Sequence, residues 1–325
     1  MKTSSADKFV RLMNSYSAKG VPYLFIIDFN LLNPVIYKMD EVPHGIRFIT
    51  PLLSNTTSSP KFTRSFQFEK YPVLFSRYNE AFNNIHKNIN MGRTFLANLT
   101  FPTRILTDLT LKGIFNLSSA KYKLLYDNNF VVFSPEIFVR IKGSEITSYP
   151  MKGTIDASIP DAESVILSDV KEIAEHNTIV DLIRNDLSIE AKDVTVTRYR
   201  YIDEIKTSDR TLLQVSSEIT GYLDRDFRSR LGNIIIGMLP AGSVTGAPKK
   251  ETVRIIRDSE KYDRGWYTGI FGVFDGRNLD SAVMIRFIEN DSGTMYYKSG
   301  GGITFMSNAE SEYKELIDKV YVPVG

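Results

Sequence analysis

The sequence predicts an α+β protein folded as a single domain over residues 1–325, and three observations carry that expectation. Apolar runs of strand length fill residues 21–75, 93–141 and 266–303. Between and after them lie segments whose apolar residues recur at helical spacing. No internal repeat, low-complexity tract or interdomain linker divides the chain.

Composition removes several function classes. The 325 residues are 42% hydrophobic and 24% charged, enough to build an extensive core. A formal charge of +2 supplies no basic field, so nucleic acid is not an expected partner. The opening "MKTSSADKFVRLMNSYSAKG" has no apolar signal region. The run "VPYLFIIDFNLL" is interrupted by Asp28 and too short to span a bilayer. It reads as a buried strand of a cytoplasmic protein without a membrane partner. The absence of cysteine excludes a disulfide framework, thiolate metal sites and Cys-His acyl transfer. The three histidines, His44, His86 and His176, are scattered, so no histidine-rich metal centre is expected.

In chain order, residues 21–75 read as strands punctuated by "NP" and "PHG", with a loop at 54–60. "SRYNEAFNNIHKNINMG" places Tyr78, Phe82 and Ile85 on one helical face and ends at a glycine cap, Gly92. "RTFLANLTF" and "YKLLYDNNFVVFSPEIFVRI" read as strands, the second turning at "DNN". Residues 161–188 read as helix with Val165, Val170, Ile173, Ile179, Leu182 and Ile183 toward the core. A strand at 193–199 and a loop follow. "SRLGNIIIGMLPAGSVTGAPKKETVRIIRDSEKY" then reads as helix, glycine-rich loop, helix. "YTGIFGVFD", "DSAVMIRFIE" and "MYYKSGGGI" read as successive antiparallel strands, and "AESEYKELIDKVY" closes the chain as a helix.

Four stretches could carry chemistry. In "YPMKGT", Lys152 sits between Met151 and a glycine turn. Most lysines there are solvated, but in a partly buried turn desolvation would leave a nucleophilic amine. Glu172 with Glu175, and Glu312 with Glu315, are three apart, so each pair shares a helix face and could offer two carboxylates to a hard cation such as Mg²⁺. The neighbouring Lys171, Lys314 and Lys319 equally suit ordinary surface ion pairs. The loop "LPAGSVTGAPKK" is not a Walker loop, because only three residues separate Gly242 from Gly246 and Ala247-Pro248 follows. "SGGGI" lacks dinucleotide spacing; it fits either a strand-end turn or backbone amides open to an anion.

Taken in order, "SPEIF", "PMKGT", "KEIAEHNTIVDLIRNDL", "LPAGSVTGAPK", "RGWYTGIFGVF", "MIRF", "SGGGIT" and "SEYKELIDK" resemble the chorismate-utilising enzymes, which make anthranilate, aminodeoxychorismate, isochorismate and salicylate. The match runs from about residue 77 to 319. The resemblance implies one domain of two large antiparallel sheets packed together and flanked by helices. Residues 77–319 would be the chorismate-binding core and 1–76 a shortened β-rich N-terminal portion.

It also implies roles. Glu172, Glu175, Glu312 and Glu315 fall on the family's Mg²⁺ positions, and a dianionic substrate beside four carboxylates does need a cation between them. Thr154, Tyr267, Arg286, Lys319 and the amides of Gly300, Gly301 and Gly302 match substrate-binding positions. Lys152 matches the lysine of the aminodeoxychorismate-forming members, proposed to attack C2 of chorismate. Glu136, 16 residues earlier, matches the general acid for the departing 4-hydroxyl. Lys152 should then have a depressed pKa, from Met151, from exclusion of water and from adjacent Mg²⁺. Leu96 stands where isochorismate and salicylate synthases carry a water-activating lysine, which disfavours water chemistry. Gln214 replaces a histidine linked to pyruvate elimination, and the short N-terminal region lacks the "LLES" signature of tryptophan binding.

The resemblance therefore implies Mg²⁺-dependent amination of chorismate by ammonia, with the ammonia delivered by a separate glutamine amidotransferase subunit because the chain has no thiolate of its own. The alternatives are anthranilate synthesis and a non-catalytic ligand-binding relative.

Overall fold

The computed structural model describes residues 5–57, 66–206 and 211–324. Two antiparallel sheets make its centre. In the first, the strand order is Met151–Asp156, Thr211–Tyr222, Glu145–Ser148, Ile137–Lys142, Leu279–Val283, Ile270–Phe274, Tyr23–Ile27 and Val35–Lys38, with Lys192–Lys206 paired to Thr211–Tyr222. In the second, the order is Gly246–Ala247, Leu96–Thr107, Thr294–Ile303, Phe287–Asp291, Phe130–Ser134, Tyr122–Tyr126 and Ile46–Ile49, with Phe68–Tyr71 also on Leu96–Thr107.

Alternation along the strands decides the layers, because successive side chains point to opposite faces. From Tyr23–Ile27, Leu24 and Ile26 meet Phe48, Leu124, Phe130 and Phe287 of the second sheet, so the sheets pack face to face. Tyr23, Phe25 and Ile27 point the other way, onto Phe9, Met13, Leu231, Ile234 and Ile235 of covering helices. That strand reads as a continuous apolar run because both its faces are buried. Helices Phe75–Asn90, Lys249–Glu260 and Ala309–Asp318 cover part of the outer face of the second sheet, against Ala97, Leu99, Phe101 and Ile303. Tyr78, Phe82 and Ile85 are buried as the spacing predicts, and Gly92 follows the helix at φ +69°. No helix among the described residues is long and apolar enough to cross a membrane.

Several expectations are corrected. Helix Ser5–Ala18 opens the chain where no element was expected; it buries Phe9 and Met13, an i,i+4 pair set among polar residues. The helical run at 161–188 breaks into Ala162–Ser168 and Val170–Ser188, because the Asp169 side chain caps the second helix by accepting from the Glu172 amide. Val165 and Val170 are exposed at that break, and Ile173, Ile179 and Ile183 are only half-buried. Glu175 is buried instead, at the edge of a cavity that Ile179 and Ile183 also line, and His176 is buried with Nε2 2.7 Å from Ser217 Oγ. The loop expected after 199 is strand, continuing to Lys206. Of the loop expected at 54–60, residues 58–60 lie outside the described residues. "DSAVMIRFIE" is not one strand but two in different sheets, with Arg286 at φ +53° in the crossing.

Candidate active site

The site forms where the chain changes sheets. Ser134 ends a strand of the second sheet and Ile137 begins one of the first, so Glu136 sits on one crossing; Arg286 sits on the return crossing. The crossings are tied together: the Val283 amide donates to the Glu136 carbonyl, and the Phe133 amide to the Arg286 carbonyl, both at 3.1 Å. Beside them a cavity of about 190 Å³ is lined by Glu136, Lys152, Glu175, Tyr267, Arg286, Gly300, Gly301, Gly302 and Lys319, all picked out from the sequence. An arginine with positive φ is uncommon, and such backbone is retained where the surroundings force it.

Lys152 reaches the cavity by a β-bulge rather than a turn. Met151 pairs with Ser216 and Thr154 with Gln214, so Lys152 and Gly153 together stand opposite Val215. Gly153 takes φ +85°, which favours glycine, and a methyl group on it would lie 2.9 Å from Glu172 Oε2 and push that carboxylate aside. Beyond the bulge Thr154 is exposed and does not line the cavity.

The charge on Lys152 also differs from expectation. Burial alone would lower its pKa, but the carboxylate of Glu175, 2.6 Å from Nζ, with Glu315 and Glu172 behind, outweighs burial and holds the ammonium above its ordinary value. Glu136 behaves as expected of an acid. Burial raises its pKa, against the opposing hydrogen bond from Ser243 Oγ and the charge of Lys319.

The anion-binding side is cationic. Lys319 Nζ lies 2.7 Å from Glu315 Oε1 and donates to the Gly300 carbonyl at 2.9 Å. Burial lowers its pKa, with Glu315 opposing. Arg286 donates to the Lys319 carbonyl at 3.0 Å and packs over Tyr321. Tyr267 is buried, which pushes its hydroxyl pKa up. The three glycines are strand, not turn, paired with Thr100, Leu99 and Asn98. The Thr100 and Asn98 amides donate elsewhere, to Glu260 and to the Thr245 carbonyl. In an antiparallel ladder the Gly301 amide is therefore the one spent on Leu99, and Gly300 and Gly302 turn theirs the other way.

Glu172, Glu312 and Glu315 adjoin the cavity without lining it. A methyl on Gly301 would stand 3.3 Å from Glu312 Oε2 and 3.8 Å from Glu315 Oε1. Burial raises the pKa of Glu172 and of Glu312. For Glu315 burial acts upward too, but Lys319 outweighs it and the net shift is down. Two buried carboxylate oxygens, Glu172 Oε2 and Glu175 Oε1, have no hydrogen-bond partner, which suits a hard cation. Yet among the described residues no three acidic or histidine groups close on one point; lysines stand between them.

Sequence reasoning missed Ser243, whose hydroxyl holds Glu136. Its signal lay in the quoted loop "LPAGSVTGAPK", weighed only for phosphate. It also missed Lys171, taken as a sign of plain surface pairing. Leu96 lines the cavity, whereas Gln214 does not.

A family model described as chorismate binding enzyme matches residues 37–324. The chain belongs to the chorismate binding enzyme family. Over its whole length this family member is 46% identical to an "Uncharacterized PabA-like protein" of Haemophilus influenzae, covering 99% of that protein. It is 35% identical to anthranilate synthase component 1 of Mycolicibacterium smegmatis over 59% of this chain and 37% of that one. Among solved structures, the menaquinone-specific isochorismate synthase MenF of Escherichia coli is similar over 97% of this chain and 80% of its own, with TM-score 0.71 and 15% identity. Anthranilate synthase component I of Streptococcus pneumoniae is similar over 80% and 60%, with TM-score 0.64 and 24% identity. The two sheets and flanking helices are thus the family fold, and the protein is a chorismate-utilising enzyme.

Proposed function

We propose that this family member is the synthase component of an aminodeoxychorismate synthase, converting chorismate and ammonia to 4-amino-4-deoxychorismate. The observation that carries the reading is the bulge that brings Lys152 to a cavity it shares with buried Glu136. Arg286, Lys319, Tyr267 and the amides of Gly300 and Gly302 bind the substrate's two carboxylates, a task that suits a fixed guanidinium. Lys152 must first leave its ion pair with Glu175 and give up a proton to solvent, which it regains once it is released from C2. Its amine then attacks C2 as the C4–O bond breaks, with Glu136 donating the proton that lets the hydroxyl leave as water. Ammonia next adds at C4, the bond from Lys152 to C2 breaks, and the proton released by the new amine restores Glu136. The enolpyruvyl group stays on the ring, in keeping with Gln214 replacing the histidine linked to elimination.

Glu175 with Glu172, Glu312 and Glu315 would hold Mg²⁺, which neutralises their charge beside a dianion. With no cysteine in the chain, ammonia comes from a partner glutamine amidotransferase. Anthranilate synthesis is the second reading, favoured by the relatives of that name. Incubation with chorismate, Mg²⁺ and an ammonium salt, with the product identified by mass and ultraviolet spectrum, separates them. Anthranilate as the dominant product would replace the first reading by the second.

A further inference from the structure

The acidic cluster contains a second lysine besides Lys152. Lys171 Nζ stands 3.7 Å from Glu175 Oε1 on its own helix and 3.9 Å from Glu312 Oε1 on helix Ala309–Asp318. Neither contact is short enough for a hydrogen bond, so the ammonium sits between two buried carboxylates without being fixed to either. Glu175 therefore faces two lysines, Lys152 at Oε2 and Lys171 at Oε1. They differ in freedom: the Lys171 side chain is 47% exposed and that of Lys152 28%. Two carboxylate oxygens of the cluster, Glu175 Oε1 and Glu172 Oε2, are buried and accept no hydrogen bond among the described residues.

We propose that Lys171 is a displaceable plug of the cation site: its ammonium offsets the charge of the two acidic helices when no metal is present and swings into solvent when a divalent ion enters. This rests on the metal assignment above and deepens it. Three features support exchange over a permanent pair. The contacts are long, which leaves Glu175 Oε1 without a hydrogen bond, while Glu312 Oε1 is held by Ser307 Oγ at 2.9 Å rather than by the lysine. The lysine begins on the first turn of helix Val170–Ser188, next to its Asp169 cap, so its side chain can reach water without moving the helix. Lastly, a divalent ion in that place repels a fixed ammonium a few ångströms away and attracts all four carboxylates more strongly than one lysine does.

The test uses the full chain stripped of metal and titrated with Mn²⁺, read by the loss of the free-ion electron paramagnetic resonance signal. Lys171→Gln should bind Mn²⁺ about tenfold more tightly than wild type, since a competing like charge is gone. Lys171→Arg should stay near wild type. Thermal melting should move oppositely: without metal Lys171→Gln melts lower than wild type, and with saturating Mn²⁺ the difference closes. Unchanged or weaker Mn²⁺ binding by Lys171→Gln overturns the plug. If Glu175→Gln still abolishes binding in that case, the metal assignment survives alone. If wild type and both Lys171 variants all fail to bind Mn²⁺, plug and metal assignment fall together.

Discussion

Two ionic clusters, one around Arg264 and Glu260 and the other around Glu175, are built on opposite principles. In the first, Arg264 and Glu260 are almost completely buried, and every N–H of the guanidinium is used. Nε and Nη2 reach Glu260 at 2.9 and 2.6 Å, and the rest reach the Val244 and Asn98 carbonyls and Thr268 Oγ1 at 2.7–3.2 Å. Glu260 also accepts from the amide and hydroxyl of Thr100. In the second cluster Glu175 has Lys152 at 2.6 Å on one oxygen but only a lysine at 3.7 Å on the other, and Glu172 Oε2 accepts no hydrogen bond among the described residues. Satisfied buried charge fixes structure; unsatisfied buried charge marks where something else is meant to bind. The first cluster still serves the second, because Val244 and Asn98 line the cavity and Ser243 holds Glu136.

Unequal stability effects are the most severe way to break this contrast. Arg264→Met leaves Glu260 buried without its partner and should cost about 3–5 kcal/mol. Glu175→Gln takes the 2.6 Å carboxylate from Lys152 but leaves Glu315 and Glu172 behind the ammonium, so it should cost less, about 1–2 kcal/mol, while abolishing turnover. Urea denaturation midpoints read both. Equal losses in the two variants would erase the distinction between a structural and a functional cluster.

Lys152→Ala sharpens the same contrast from the side of activity. Ammonia-dependent turnover should fall on the order of a hundredfold or more, the size expected on losing one group of a reacting constellation. Chorismate binding should persist through Arg286, Lys319 and Tyr267. Intact-protein mass after acid quenching then reports the covalent step: an adduct present in wild type and absent in Lys152→Ala supports attack at C2. Unimpaired turnover in the variant would remove Lys152 from the chemistry.

A third outcome concerns pH. Glu136 must be protonated to donate, and burial raises its folded pKa. The protonated fraction of Glu136, read from its carboxyl infrared band because turnover also needs neutral Lys152, should therefore be full below that pKa and decline as pH rises through it. The hydrogen bond from Ser243 opposes the shift, so Ser243→Ala should move the declining limb to higher pH. A limb that stays in place, or moves down, would mean that another group sets it.

Much of this was legible in the sequence, and what was not has a common cause. Strand Tyr23–Ile27, the "DNN" hairpin and helix Phe75–Asn90 obey local rules of period and turn chemistry, so their residues declare them. Nine of the residues picked for the site line one cavity, yet the reason they meet lies in the two crossings between sheets, and "DSAVMIRFIE" gives no local sign that it changes sheet at Arg286. The lysine pKa reversed for a similar reason. Met151 and the glycine predicted burial correctly, but Glu175, 23 residues away, supplies the opposing charge, and no spacing rule reveals a 2.6 Å contact across elements. Val165 and Val170 misled because the Asp169 cap breaks the expected helix between them, and the second helix buries Glu175 and His176 beside Val180, Leu182 and Leu187.

The smallest expected effect tests whether a buried lysine without a carboxylate behaves as the contrast requires. Lys123 is buried, its Nζ donates to the Ser118 carbonyl at 2.7 Å and lies over the Phe115 ring, and no acid offsets it. Burial pushes its pKa down from 10.5 to about 8, the reverse of Lys152. The folded state thus releases this proton more readily than the unfolded chain. Between about pH 8 and 10.5 the unfolded state holds more protons, so this group's contribution to stability should rise with pH there. Below about pH 8 its full cost is present, roughly 3 kcal/mol from a shift of that size. Lys123→Met removes that cost but strands the Ser118 carbonyl, which takes back about 1–3 kcal/mol. The net gain at pH 7 should be about 1 kcal/mol, vanishing or reversing by pH 10. Denaturation midpoints of wild type and variant across that range decide it: parallel curves would show that Lys123 keeps its proton in the folded state, and that burial alone does not separate the two lysines.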